Sequence, residues 1–239
     1  MSPQRKTAQL PENRILASLP ANDYQRILPD LTLVSLKLGE IIYEADEVIR
    51  HVYFPIKSVV SFIWHTETDS TIEVGMVGSE GMTGVSIISG IRTLPYRSIV
   101  QGADGAMRMK ATALVAEFNQ HGAMHHLLLQ YMHGLFIQVA RTAICNRIHP
   151  IQERFCRWLL MIRDRTSSDD LSLTHEFIAS MLGTRRSDVT IAAGLLQKAG
   201  LIRYSRGHVT VLDSQRLIAS ACDCYQISKE EFNRVGLGL

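Results

Sequence analysis

From residue 31 to residue 77 apolar and polar positions alternate in short runs. The stretches "LTLVSLKLGEIIYE", "HVYFPIKSVVSFIW" and "STIEVGMVG" are rich in β-branched and aromatic residues and are punctuated by Gly39, Asp46, Pro55 and Asp69. Short strands at this spacing predict a barrel or sandwich. The β pattern continues through a glycine-rich loop, "GSEGMTGVSIISG", and "RSIVQGADGAMRMK", and ends near residue 110. From about Ala111 the period becomes helical, and one long helix is predicted from about Gly122 to Arg147. Met124, Leu128, Tyr131, Leu135, Gln138, Thr142 and Cys145 recur at alternating spacings of four and three, a seam suited to a partner helix. Leu129, Met132, Phe136, Val139 and Ala143 form a second apolar stripe. A helix apolar on two sides is buried on two sides. We assign the first seam, Met124 to Thr142, to a second copy of the chain, which leaves the other stripe to cover the β region. A single buried helix in a monomer is the alternative, because the lower seam is polar.

His149–Pro150 ends that helix, since the residue before proline resists the α region. "IQERFCRWLLMIRDR" follows, with Ile151, Phe155, Trp158, Leu159 and Ile162 on one face, and then the polar loop "TSSDD". "THEFIASMLG" begins at Thr174, a side chain suited to an N-cap, and stops at Gly183. A second helix starts three residues later and runs to Lys198–Ala199–Gly200. "LIRYSRGHVTVLD" then reads as a hairpin turning at Arg206–Gly207. Two short helices joined at a glycine and followed by a hairpin spell a winged helix-turn-helix. The predicted fold is therefore α+β: an antiparallel, jelly-roll-like β-roll, a long helix and a C-terminal winged helix-turn-helix.

The chain has 239 residues and a net charge of only +2. Its charge distribution matters more: Arg185, Arg186, Lys198, Arg203, Arg206 and Arg216 are opposed over that span only by Asp188 and Asp213. Two of these arginines stand at a helix start, where the backbone dipole disfavours cations. Burial of Val189, Ala193 and Leu196 leaves Arg186, Ser187, Thr190 and Ile191 outward on the second helix. That is where a recognition helix meets base edges. Arginine can pair bidentately with guanine, serine and threonine are versatile partners, and isoleucine can touch a thymine methyl. Arg185, Thr174 and, on the wing, Arg203, Arg206 and His208 are placed for phosphates. Thr184 or Ser187 can cap the helix. A helical hairpin with a solvated basic face is the bland alternative. No catalytic residues are assigned: Val77 occupies the first-glycine position of a nucleophile elbow, no P-loop lysine follows the glycines, and HExxH is absent.

"LTHEFIASMLGTRRSDVTIAAGLLQKAGLIRYSRGHVTVLD" resembles the DNA-binding domain of the Crp/Fnr family of bacterial transcription regulators. "LKLGEIIYEADEVIRHVYFPIKSVVS" resembles the opening strands of that family's cyclic-nucleotide-binding-like β-roll, so the likeness spans roughly residues 15–220. The resemblance implies an effector domain over residues 1–120, a dimerisation helix over 121–149 and a DNA-binding domain over 150–239. It also implies a homodimer on a palindromic double-stranded DNA site, with RNA polymerase as a partner if the protein activates.

Family members that bind cyclic nucleotides use a Gly-Glu-Leu turn and a distal Arg-Ser. Here Arg97–Ser98 match the distal half and Gly84 the glycine, but Val85 stands where the ribose-reading glutamate belongs. Unless Glu80 substitutes, the ribose loses a hydrogen bond of about 1–3 kcal/mol. A small-molecule effector other than cyclic AMP, or none, is expected. Ser187 and Ile191 also replace a Glu and an Arg of the family's best-known reader, so its operator does not carry over. No cysteine precedes Cys145, which leaves the oxygen-sensing branch's iron–sulfur cluster without ligands. His121, His125, His126 and His133 lack a third fixed ligand, and Cys222-x-Cys224 lacks a second pair, so no metal site is assigned. The four cysteines read as free thiols without a disulfide framework. Residues 1–13 carry Arg5 and Lys6 with no apolar segment after them, and no apolar stretch spans a bilayer, so a cytoplasmic protein away from membranes is expected. Three other functions remain open: an enzyme with a basic patch, a ligand-binding module whose winged helix holds a protein, and a classical cyclic-nucleotide-responsive regulator.

Overall fold

The computed structural model describes residues 12–65 and 71–238. The readings made on Arg5, Lys6 and Asp69 fall outside these residues. Two short helices, α1 (Arg14–Ala17) and α2 (Ala21–Ile27), lead into the strands β1 (Thr32–Leu36), β2 (Ile41–Tyr43), β3 (His51–Pro55), β4 (Val59–His65) and β5 (Thr71–Val77). A 3-10 turn over Val85–Ser89 separates these from β6 (Arg97–Gly102) and β7 (Asp104–Lys110). The strands form two antiparallel sheets, ordered β1-β7-β3 and β2-β6-β4-β5, which is the expected roll. Helix α3 (Ala111–Phe118) closes it, and the long helix α4 (Ala123–Ile148) runs alongside. The opening helices were not read from the sequence. Buried Asn13 ties them down by donating to the carbonyls of Pro55 (2.9 Å) and Gly81 (2.8 Å).

The reader consists of α5 (Ile151–Thr166), β8 (Asp170–Ser172), α6 (His175–Leu182), α7 (Arg186–Lys198), β9 (Ile202–Ser205), β10 (His208–Val211) and α8 (Ser214–Ala219). Its three strands pair antiparallel in the order β8-β10-β9. One apolar cluster fills the roll and takes in Met124, Leu128 and Tyr131 of α4. A second joins Val59, Ile63 and Met76 of the roll to Phe155, Trp158 and Leu159 of α5 and to the reader's interior. The last helix, α9 (Cys224–Arg234), also meets the reader, Tyr225 and Lys229 both donating to Asp164 of α5 (2.7 and 2.8 Å). It packs on α4, with Phe232 fully buried in the cluster of the roll and against Gly134.

The first seam of α4 faces the chain's own core. Met124, Leu128, Tyr131, Gln138 and Thr142, expected to face a second copy, are buried within their own chain, and Leu135 packs on the same core. The chain itself gives each polar member of the seam a partner, although the buried Gln138 Nε2 has none. Tyr131 donates to Met82 O (2.8 Å), Gln138 accepts from Met76 N (2.8 Å) and Thr142 accepts from Arg157 (3.1 Å). Of the second stripe, Leu129 is 46% and Phe136 68% exposed, while Met132 and Val139 are half-buried; Ile144 and Ile148 add further exposed apolar side chains at the end of α4.

Two polar contacts between roll and α5 are buried. Arg165 of α5 donates from Nε to Glu80 Oε1 (2.9 Å), and its Nη2 lies 2.7 Å from the same oxygen, both side chains fully buried. Glu80 Oε2 accepts from Gly78 N at 3.0 Å. Next to it, a Cβ on Gly81 would run into the Tyr131 ring, so only glycine admits the approach. Glu73 of β5 accepts from Ser61 (2.6 Å) and from Trp158 Nε1 (3.2 Å), and burial pushes its pKa up to about 7. A carboxyl whose pKa is raised on folding stabilises the protonated fold. That contribution is complete below the ordinary value and disappears as pH rises through about 7. Glu73→Gln is therefore expected to gain stability on the wild type, by about 1–3 kcal/mol at pH 8, and to show no gain near pH 4. Urea unfolding at the two pH values checks this; an equal difference at both would show that Glu73 ionises freely.

Candidate nucleic-acid interface

Thr174 caps α6 as expected, its Oγ1 accepting from Phe177 N at 3.1 Å, and α6 ends at Gly183. Helix α7 starts at Arg186, with Arg185 in the N-cap position. Neither Thr184 nor Ser187 caps it. Thr184 donates to Asp188 (3.0 Å), and that hydroxyl, with Arg185 close by, holds the Asp188 carboxyl below its ordinary pKa. Burial of Val189, Ala192, Ala193 and Leu196 fixes the helix's rotation. Arg186, Ser187, Thr190 and Ile191 consequently stand exposed on one side of its N-terminal half. The side chains of Arg185 and Arg186 are 86% and 70% exposed, with only loose ion pairs to Asp188 (3.6 Å) and Glu176 (4.0 Å).

The wing turns where expected. Arg206 (φ 49°) and Gly207 (φ 80°) form the two-residue turn, and Ser205 pairs with His208. Arg203, Arg206 and His208 are exposed, and Thr174 lies beside the wing tip, its Cγ2 3.3 Å from where a Gly207 Cβ would be. Arg216, by contrast, is committed to the fold: it donates to Ala199 O (3.1 Å) at the end of α7.

Two features are missing from the sequence reading. His175 stacks on Tyr204 (centroids 4.0 Å apart) and meets the Thr190 hydroxyl at 3.0 Å, tying α6, α7 and wing together. Burial, with Arg186 nearby, lowers its pKa. Thr190 also donates to Arg186 O (2.9 Å), so its proton is spoken for and it offers a ligand chiefly acceptor capacity. Leu195, 49% exposed, extends the apolar edge begun by Ile191, and the i, i+4 spacing was its signal.

The candidate effector residues are brought partly together. Tyr43 pairs with Ser98 across β2 and β6, and its hydroxyl lies 2.9 Å from where a Gly84 Cβ would be. Val85 opens the 3-10 turn, but Arg97 is tied to Glu44 at 2.8 Å. Glu80 cannot replace the missing glutamate, because it is buried against Arg165. Of the histidines, His125 stacks on Phe118 and contacts its carbonyl (3.1 Å), while His133 pairs with Glu231 (2.5 Å). Among the described residues, the one group of metal-type ligands gathers elsewhere: Cys145, His149, Cys222 and Cys224. Cys222-x-Cys224 has no second pair at zinc-site spacing in the sequence, but the fold brings Cys145 and His149 beside it from the end of α4.

A β-roll followed by a long helix and a winged helix-turn-helix with an exposed, cationic second helix is the architecture that the fold and the site define. Residues 153–220 match the Crp-like helix-turn-helix domain. A search of characterised proteins by sequence finds no match. Solved structures do share the fold. FixK2 from Bradyrhizobium japonicum is 16% identical, covering 80% of this chain and 98% of its own, with a TM-score of 0.68. A CRP-family transcriptional regulator from Thermus thermophilus is 19% identical over 79% of this chain and 96% of its own (TM-score 0.65). The c-di-GMP-responsive global regulator CLP of Xanthomonas campestris is 14% identical over 81% and 100% (TM-score 0.66). The chain thus carries a Crp-like helix-turn-helix domain within the fold of the Crp/Fnr transcriptional regulators. No helix among the described residues is long and apolar enough to cross a membrane.

Proposed function

We propose that the protein is a dimeric, sequence-specific regulator of transcription that reads a palindromic DNA site and responds to an effector other than cyclic AMP. The observation that carries this reading is the exposed set Arg186, Ser187, Thr190 and Ile191 on a helix whose opposite face is buried. Arg186 is the base reader; Arg185, Thr174, Arg203, Arg206 and His208 hold phosphates. The bare stripe Leu129–Phe136–Ala143, spaced by seven, supplies the seam for a second copy, and a pair of such readers suits two half-sites about 34 Å apart. Val85 at the glutamate position and the Arg97–Glu44 pair argue against cyclic AMP. The protein works in the cytoplasm, with RNA polymerase as its partner where it activates, and is not an enzyme.

Footprinting on genomic DNA provides the operator for the test. Arg186→Ala is expected to cost about 1–3 kcal/mol and to relax specificity at one base pair. Arg206→Ala should weaken all sequences alike and reduce the salt slope by about one. Fluorescence anisotropy over a range of salt, with and without cyclic AMP, reads both, and the nucleotide should change neither. Salt-insensitive binding would favour a protein partner for the winged helix instead.

A further inference from the structure

Cys145 lies in the last turn of α4, and His149 is the C-cap residue, its backbone N–H donating to Cys145 O at 3.1 Å. Cys222 and Cys224 return to them from the segment that opens α9. The four ligand atoms lie within 4.8 Å of one another. Cys145 Sγ is 3.4 Å from Cys222 Sγ, too far for a disulfide bond, and Cys224 Sγ is 3.8 Å from His149 Nδ1. An ion held tetrahedrally at zinc–sulfur distance keeps its sulfurs about 3.8 Å apart, so the cluster has the dimensions of a filled site. The other ring nitrogen, His149 Nε2, faces the Asp223 carboxylate at 3.7 Å, the outer partner that ligating histidines commonly have.

A second observation concerns charge. Arg157 is buried and makes no ion pair among the described residues. Its hydrogen bonds go to Thr142, one turn before Cys145 on α4, and its Nε is unpartnered. A buried guanidinium with no direct ion pair is costly, and the buried Glu73 carboxyl, which feels the Arg157 charge, does not contact it. Three thiolates and one histidine around a divalent ion carry a net charge of minus one, which Arg157 would balance.

We propose that Cys145, His149, Cys222 and Cys224 form a closed Cys3His site for a zinc-type divalent cation, clamping the entry and exit of the reader to the end of α4. Binding breaks three S–H bonds, forms three metal–sulfur bonds and one metal–nitrogen bond, and releases three protons to solvent. With all four positions filled by protein, the ion is structural and leaves no open position for catalysis. The site stands apart from the DNA reading; only its effect on operator affinity rests on that reading.

Cobalt(II) titrated into the reduced, metal-stripped full chain is the test. One ion per chain is expected, with the intense visible bands of tetrahedral cobalt, thiolate charge-transfer bands, release of three protons and displacement by zinc(II). Cys222→Ser and His149→Gln should each abolish tight binding, Asp223→Ala should weaken it about 10-fold, and Cys156→Ala should leave it unchanged. If Cys222→Ser does not fold, the wild-type spectrum and His149→Gln decide. Octahedral spectra without charge transfer, or tight binding retained by His149→Gln, would overturn the site. Zinc should tighten operator binding about 5-fold or more. An ion bound with no change in DNA affinity would overturn the clamp's link to the reader, and DNA bound by neither form would overturn the function proposed above and leave the ion site standing.

Discussion

Replacement of Arg165 by alanine is expected to lower the stability of the chain by about 3–5 kcal/mol, because it leaves the Glu80 carboxylate fully buried without its cation. Most of that cost comes from the charge left behind and not from the attraction lost. The double variant Glu80→Gln with Arg165→Met removes both charges, and is expected to recover most of the difference. The glutamine amide keeps an oxygen for Gly78 N, and methionine refills the volume beside Gly78, whose Cβ position lies 2.6 Å from the Arg165 side chain. Equilibrium urea unfolding of the wild type and both variants measures this. A single-variant cost below about 1 kcal/mol would mean that water reaches Glu80 and the pair behaves as a surface one.

The second large effect lies on α4. Phe136→Glu, alone or with Leu129→Glu, is expected to convert a dimer into folded monomers and to weaken binding to a palindromic operator by about 100-fold or more, because the second reader no longer binds as part of one molecule. Sedimentation velocity and anisotropy on full-site and half-site duplexes read the two consequences separately. Half-site affinity should hardly change. Leu128→Glu should behave differently: Leu128 is buried within its own chain, so the charge unfolds the protein instead of separating two copies. Dimers that survive both Phe136 and Leu129 substitutions would place the seam elsewhere.

These two residues show what the sequence could and could not convey. Strands, the long helix, the reader and its hairpin turn were legible because each is written in local periods and turn chemistry: Thr174 before an apolar run, Arg206–Gly207 between strands, Pro150 after a helix. The choice between the two stripes of α4 was not local. Gln138 and Thr142 looked like polar residues tolerated in an interface between copies, yet their partners are Met76 N, 62 residues away, and Arg157, 15 residues away. Similarly, no spacing rule could join Cys145 to Cys222 across 77 residues. The burial of Glu80 against Arg165, 85 residues on, was equally out of reach. On the reader, exposed positions of α7 followed from period alone, whereas the His175–Tyr204 stack required the fold.

Arg206 holds a left-handed backbone at the wing tip. A side chain with a β-carbon resists that conformation by about 1–2 kcal/mol, and asparagine or glycine would fit the turn with less resistance. The same is true of Arg185 and Arg186, which sit at the positive end of α7 against its dipole. At three positions the chain carries an arginine where folding alone would choose another residue. Each of these sites costs the free protein some stability, and on the function proposed above a polyanion restores it. On that reading the operator acts as the missing part of the reader's fold.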